Sequence, residues 1–254
     1  MLEAINRDRA ENGGLAPVQW DDLAGTVGQM HAEELANAGY LSHWNQQGLG
    51  PDLRYALWGG KDLAMENVYS YFQRYSTGAP VPVDDFARYV REAEVSLMHS
   101  PGHRANILRP EHTHVGIGIA YNPKDGEFRV AQEFLNRYAE LDALRETALP
   151  GETLVVSGRL LPGVSNPLIN LAFEPVPRAM SIEELKKTST YTSPAKFTTA
   201  IRVALDAQSR FRVNVPFERN AQPGIYHIRM FVDWKGANIQ VVDALVWVGV
   251  VPVK

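Results

Sequence analysis

Apolar positions recur at helical spacing in the first half of the chain and on a two-residue alternation in much of the second. Leu23, Val27, Met30, Glu34 and Ala38 follow the helical period, with Asp21 and Asp22 where an N-cap and a first-turn acid belong and Gly39 as a stop. A second helix is expected from about Asp84, with Phe86, Val90, Ala93 and Leu97 on one face. Residues 115–121 and 128–134 read as two strands joined by turn chemistry at 122–126. Residues 138–149 look helical, and Pro150-Gly151 then punctuates the chain. Short β-rich runs follow at 153–161, 167–174, 197–206, 209–217, 224–234 and 238–249, with Arg210-Phe-Arg-Val-Asn-Val215 alternating as a half-buried strand should. Strands at this spacing predict a β-sandwich. Pro223-Gly224-Ile225-Tyr226 resembles the corner of immunoglobulin-like sandwiches, where a tyrosine hydroxyl ties a strand start to upstream backbone.

Composition narrows the classes. The 254 residues are 45% apolar and 21% charged, with a net charge of −4, enough apolar content for a core and too little basic excess for an obvious nucleic-acid binder. No run reaches the roughly 18 apolar residues of a membrane helix. Cysteine is absent, which excludes disulfides, thiolate metal sites and cysteine nucleophiles. Residues 1–149 carry 13 Lys and Arg against 21 Asp and Glu, and residues 150–254 carry 12 against 8. The sign change agrees with a domain division, although charges of this size suit ordinary solvated faces. Met1 enters an amphipathic pattern without a basic or apolar leader, so an upstream segment such as a signal peptide is expected to be missing.

Six of the seven histidines, His31, His43, His99, His103, His112 and His114, fall in one stretch of the first half. Imidazole is the commonest metal ligand and the usual acid–base group near neutral pH. His99 and His103 are separated by Ser100-Pro101-Gly102, which reads as a helix start with Ser100 capping and Pro101 at the first position. His99 therefore ends one helix and His103 opens the next. His112 and His114 are expected at the surface on a strand entry. His31, near the apolar side of its helix, is expected to be a satisfied core histidine.

Ser100-Pro-Gly-His-Arg-Ala-Asn-Ile-Leu108, followed by Thr113-His-Val-Gly-Ile-Gly-Ile-Ala120, resembles the signature of the bacterial branch of the CAP superfamily. That superfamily joins cysteine-rich secretory proteins, antigen 5 and pathogenesis-related proteins, and is also called SCP-like. Further segments agree in order: Ile5-Asn6-Arg7-Asp8-Arg9, Met30-His-Ala-Glu-Glu-Leu35, Ser42-His43, then Gly48, Pro51 and Arg54, then Trp58-Gly59-Gly60. Met65-Glu66-Asn67-Val68 stands where the family writes Gly-Glu-Asn, and Gln132-Glu133-Phe134 closes the last strand. The resemblance covers about residues 1–138. It implies an N-terminal α-β-α sandwich over 1–138, and with the β-rich runs that follow, the chain reads as α+β, with a linker at 139–152 and an all-β, immunoglobulin-like sandwich over 153–254.

The resemblance also implies a cleft in which His43, Glu66 and His103 are the metal-ligand candidates, with Ser100 and Asn67 as further lining. Two neutral imidazoles and a carboxylate would fill three zinc positions and leave a fourth open. Leu97 stands where the family has tryptophan, and Ser100 where animal and plant members have a second glutamate. Glu94 could substitute for that acid or sit in water at the helix edge. The implied function is a binding protein of the extracellular space or cell envelope, holding a divalent metal such as zinc and a small apolar or sugar-like ligand or an envelope component. A hydrolase built from Ser42 or Ser100 with His103 and Glu66, and a non-catalytic scaffold, are the alternatives. No nucleic-acid partner and no transmembrane segment are expected.

Overall fold

The computed structural model describes residues 1–252 and contains two compact units. The first comprises residues 1–58, 64–135 and 178–191, and the second residues 59–63, 136–177 and 192–254.

In the first unit the order is α1 (Leu2–Glu11), β1 (Gln19–Trp20), α2 (Asp22–Ala38), α3 (Pro51–Leu57), β2 (Leu63–Tyr71), α4 (Phe86–His99), α5 (Pro101–Ile107), β3 (His114–Asn122) and β4 (Glu127–Asn136). Helix α2 has the ends its sequence predicts. The Asp21 side chain accepts from the Ala24 amide at 2.7 Å, and Gly39 closes the helix in the left-handed conformation. Helix α4 is capped by Asp85, whose side chain accepts from the Arg88 amide at 2.9 Å. Pro101 opens α5 as expected, but Ser100 makes no side-chain capping bond there.

The strands form one sheet in the order β1-β3-β4-β2, with β1 parallel and β4 antiparallel to β3. Alternation along β4 sorts its side chains. Phe128, Val130 and Phe134 pack with residues of α1, α4 and α5, whereas Ala131 and Leu135 pack with α2 and α3. The unit is therefore an α-β-α sandwich. Helix α2 lies so close to β3 that a Cβ on Gly116 or Gly118 would stand 2.0–2.1 Å from its backbone.

In the second unit, β5 (Ala139–Leu141), β6 (Thr147–Ala148), β7 (Thr153–Leu160), β8 (Ser165–Glu174), β9 (Lys196–Arg202), β10 (Arg210–Pro216), β11 (Gly224–Trp234) and β12 (Ala237–Val248) form two sheets. Their orders are β10-β7-β5 and β6-β12-β11-β8-β9. Between them lies one apolar core with Val156, Phe211, Ile228, Met230, Val241 and Val246 at its centre. All six expected β-rich runs are strands. The Tyr226 hydroxyl is bonded by the backbone of Gln222, upstream of the turn.

Two expectations need correction. Residues 138–149 are not helical: β5 pairs with β7, and β6 runs parallel to β12. The apolar spacing misled because Ala139, Leu141, Leu144 and Ala148 pack against the sandwich core, and sheet pairing overrides local helix propensity. Within the expected linker 139–152, Ala139–Leu141 and Thr147–Ala148 are thus edge strands of the sandwich sheets. The later half of the chain also returns one segment, 178–191, to the first unit. It carries a short helix, α6 (Ile182–Leu185), opened by a capping box between Ser181 and Glu184.

Candidate functional site

The site is built around the loop after α2, the helix α3 and the strand β2. Along β2, Glu66 and Asn67 point to opposite faces of the sheet. Glu66 faces α2 and α3. Its Oε1 lies 2.8 Å from Nδ1 of His43, and its Oε2 is held by the Arg54 guanidinium from α3. His31 of α2 stands behind, with Nε2 3.7 Å from Glu66 Oε2 and 2.9 Å from the Ser42 carbonyl. From β4, Glu133 Oε1 receives Arg54 at 3.4 Å. Arg54 also donates to the carbonyls of His43, at 2.6 Å, and Leu49, at 3.1 Å, so it fixes the loop bearing His43 as well as both carboxyls.

This arrangement sets the protonation states. Burial, with Arg54 next in effect, lowers the His43 pKa to about 4, so its imidazole is neutral at pH 7. A neutral ring beside a carboxylate carries its proton on Nδ1 and donates it to Glu66, which leaves the Nε2 lone pair free. His103 is also pushed down, first by burial and then by the charge of His43. His31, wholly buried, is lowered further by burial and by Arg54. Glu133 is raised well above the carboxylate range by burial and by the neighbouring Glu66 charge, so it is the protonated member of the carboxyl pair. Burial works against the Arg54 charge, but Glu66 and Glu133 outweigh it and raise its pKa.

On the other face, Asn67 is fully enclosed. Its Nδ2 donates to Gln132 Oε1 at 3.0 Å and to the His103 carbonyl at 3.3 Å, and its Oδ1 accepts from Asn106 at 3.0 Å. Asn67 is therefore a bracket holding the first turn of α5, where His103 sits. Gln132 passes the chain to Glu94, donating to its Oε2 at 2.6 Å, and His112 Nε2 joins the other end at Asn106 Oδ1, 3.0 Å away. Glu94 is 1% exposed, and burial raises its pKa to about 7. Neither expected position for Glu94 holds: it lies at the end of this chain, not in water and not beside Glu66. His112 is likewise buried and stacked on Phe134 rather than displayed on a strand surface. His31 is the core histidine expected of it, although its Nδ1 has no partner.

The structure thus joins His43 to Glu66 and ties Asn67 to the backbone of His103. Ser100 occupies the helix-start position before them. Both Glu66 oxygens are engaged by protein groups, Oε1 by the His43 ring and Oε2 by Arg54, so Glu66 fixes the orientation of His43. Arg54 Nε and Glu133 Oε2 are buried without a hydrogen-bond partner. The Ser42 hydroxyl is shared with Thr188 Oγ1 at 2.7 Å and accepts from the Trp44 amide at 3.0 Å, which does not present it to a histidine as a nucleophile requires. Sequence reasoning missed Arg54 and Glu133 as site residues. The period-two pattern on β4 could have found Glu133, since it shares a face with Ala131 and Leu135.

The family model described as "CAP: Cysteine-rich secretory protein family" matches residues 2–134. No curated protein matches the chain. Among solved structures, an extracellular protein containing an SCP domain from Bacillus anthracis str. Ames is 20% identical, with a TM-score of 0.41, over 54% of this chain and 40% of that one. An outer surface protein from Borrelia burgdorferi is 18% identical, with a TM-score of 0.42, over 54% of this chain and 89% of its own. The chain therefore spans well under half the length of the Bacillus protein.

Proposed function

Since the chain belongs to the cysteine-rich secretory protein (CAP) family, we propose that its first unit is a binding module working outside the cytoplasm. Its cleft presents the imidazoles of His43 and His103 to a divalent metal, zinc foremost, and admits a small apolar or sugar-like ligand. The second unit, read as an immunoglobulin-like sandwich, serves to dock the protein to a component of the cell envelope. Among the described residues no helix is long and apolar enough to cross a membrane.

One observation carries the reading: the 2.8 Å contact from His43 Nδ1 to Glu66 Oε1. A carboxylate bonded to one ring nitrogen fixes the tautomer and raises the basicity of the other, the arrangement found behind metal-binding histidines. Arg54 keeps Glu66 ionised and in place, and Asn67 holds the backbone from which His103 projects. A zinc ion bound here would act as a Lewis acid toward oxygen ligands. The test is zinc uptake by metal-stripped protein, followed by calorimetry and elemental analysis. About one zinc per chain is expected, with uptake lost in His43→Ala and in His103→Ala and weakened about 10- to 100-fold in Glu66→Gln. Normal uptake in both histidine variants would remove the reading.

A further inference from the structure

Residues 178–191 lie outside the stretch matched by the family model, yet they belong to the first compact unit and reach the loop that carries His43. Leu185 is fully buried in a cluster with Ala32, Leu35, Tyr40 and Val68. The Met180 amide donates to the Gln46 carbonyl at 2.9 Å. Thr188 Oγ1 lies 2.7 Å from the hydroxyl of Ser42, the residue before His43. Tyr191 completes the contact: its hydroxyl donates to Asp52 Oδ1 at 2.5 Å, and its ring centroid lies 4.9 Å from that of Trp44 and 6.3 Å from that of His43.

The loop is shaped to receive this segment. A Cβ on Gly48 would stand 2.1 Å from the Arg178 carbonyl, and one on Gly50 would stand 2.3 Å from the Tyr191 hydroxyl. The two obstructions differ in kind. At Gly48 the obstacle is backbone and φ is +78°, whereas at Gly50 it is the far end of a side chain and the backbone is extended. Gly50 is therefore open to alanine in conformation and closed to it only by Tyr191.

We infer that residues 178–191 form a strap that walls one side of His43 and sets how readily a ligand reaches its imidazole. Tyr191 is the wall itself, Thr188 positions the loop at Ser42, and Leu185 is the anchor that keeps both in place. The inference builds on the reading of His43 as the residue the cleft offers to a ligand. It is tested on metal-stripped protein, so failure of zinc uptake would leave it standing.

The probe is diethyl pyrocarbonate, with the rate of carbethoxylation at His43 and at the exposed His99 followed by peptide mass mapping. In the wild-type protein His43 should react more slowly than His99. Leu185→Asp, which undocks the strap, should raise the His43 rate about tenfold, since a local opening with few other contacts then becomes populated. Gly50→Ala, which displaces only the Tyr191 ring, should raise it severalfold, and the His99 rate should stay constant in both. Circular dichroism establishes that each variant is native, and if Leu185→Asp is not, Gly50→Ala alone decides. An unchanged His43 rate in a native variant, or a wild-type rate equal to that of His99, overturns the inference.

Discussion

The two compact units bury their interiors in opposite ways. The sandwich has one continuous apolar core, and the buried Glu174, His227 and Asp243, with the half-buried Arg229, alternate onto the face of the five-stranded sheet turned away from it. In the first unit the apolar residues fall into four separate clusters. Between the clusters run buried polar groups: Arg9, His31, Arg54, Glu66, Asn67, Glu94, Gln132 and Glu133. Apolar packing is non-directional and tolerates small errors, whereas a buried charge must find a partner in the right geometry or lose several kcal/mol. The first unit therefore depends on matched geometry among its buried polar groups, and each of them is a place where a substitution is costly. The second turns Glu174, His227, Arg229 and Asp243 away from its own core.

Removing the counter-ion should break this contrast most severely. Arg54→Met leaves Glu66 and Glu133 facing each other without a cation and should cost the first unit about 3–5 kcal/mol at neutral pH. A carboxyl whose folded pKa exceeds its unfolded value binds more protons when folded, so stability falls as pH rises. Both carboxyls are already raised, and losing Arg54 raises them further. The penalty should therefore shrink as the pH is lowered toward 5, which guanidinium unfolding at several pH values would show. A pH-independent penalty would mean that Arg54 acts only through packing.

Glu94→Gln should act in the opposite direction. Its pKa of about 7 lies above the ordinary 4.5, chiefly because burial disfavours its charge. By the same sign, the wild-type chain loses stability between about pH 4.5 and 7 as the folded carboxyl resists ionising. The glutamine retains an oxygen for Gln132 and cannot ionise, so the variant should equal wild type below pH 4.5. Above pH 7 it should be more stable by up to about 3 kcal/mol. Equal stability at pH 8 would show that Glu94 is ionised at no cost.

The same difference governs how much was legible in the sequence. Six of the eight sandwich strands were legible, because alternation is a local signal that an almost wholly apolar core leaves undistorted. Helix α2 was found to its end residues through Asp21 and Gly39, and the α-β-α unit through its motifs. The site was legible only in part. His43 and Glu66 meet, whereas nothing local in the sequence shows that Arg54 holds one of the Glu66 oxygens. Arg54 and Glu133 are 79 residues apart, and no spacing rule connects them. The strap was invisible for the same reason: Leu185 and Tyr191 lie in a stretch whose neighbours in sequence are sandwich strands, while their neighbours in space are Leu35 and Trp44. Residues 138–149 failed for another reason, since two short edge strands mimic a helical period when both contribute apolar residues to one core.

The smallest effect sharpens the comparison from the sandwich side. Ile228 is fully buried in the apolar core, flanked along β11 by Tyr226 and Met230 on the same face. Ile228→Val removes one methylene and should cost about 1 kcal/mol, from lost transfer energy and a small residual cavity. Among the described residues the side chains packed in that core are apolar or aromatic, so the number of protons bound on folding does not change between pH 5 and pH 8 and the cost should be the same at both. Guanidinium midpoints for this variant, set beside those for Arg54→Met, compare one buried methylene with one buried guanidinium. If the valine variant varied with pH as strongly as the arginine variant, the sandwich core would be coupled to ionisation, and the contrast between an apolar interior in one unit and buried charges in the other would fail.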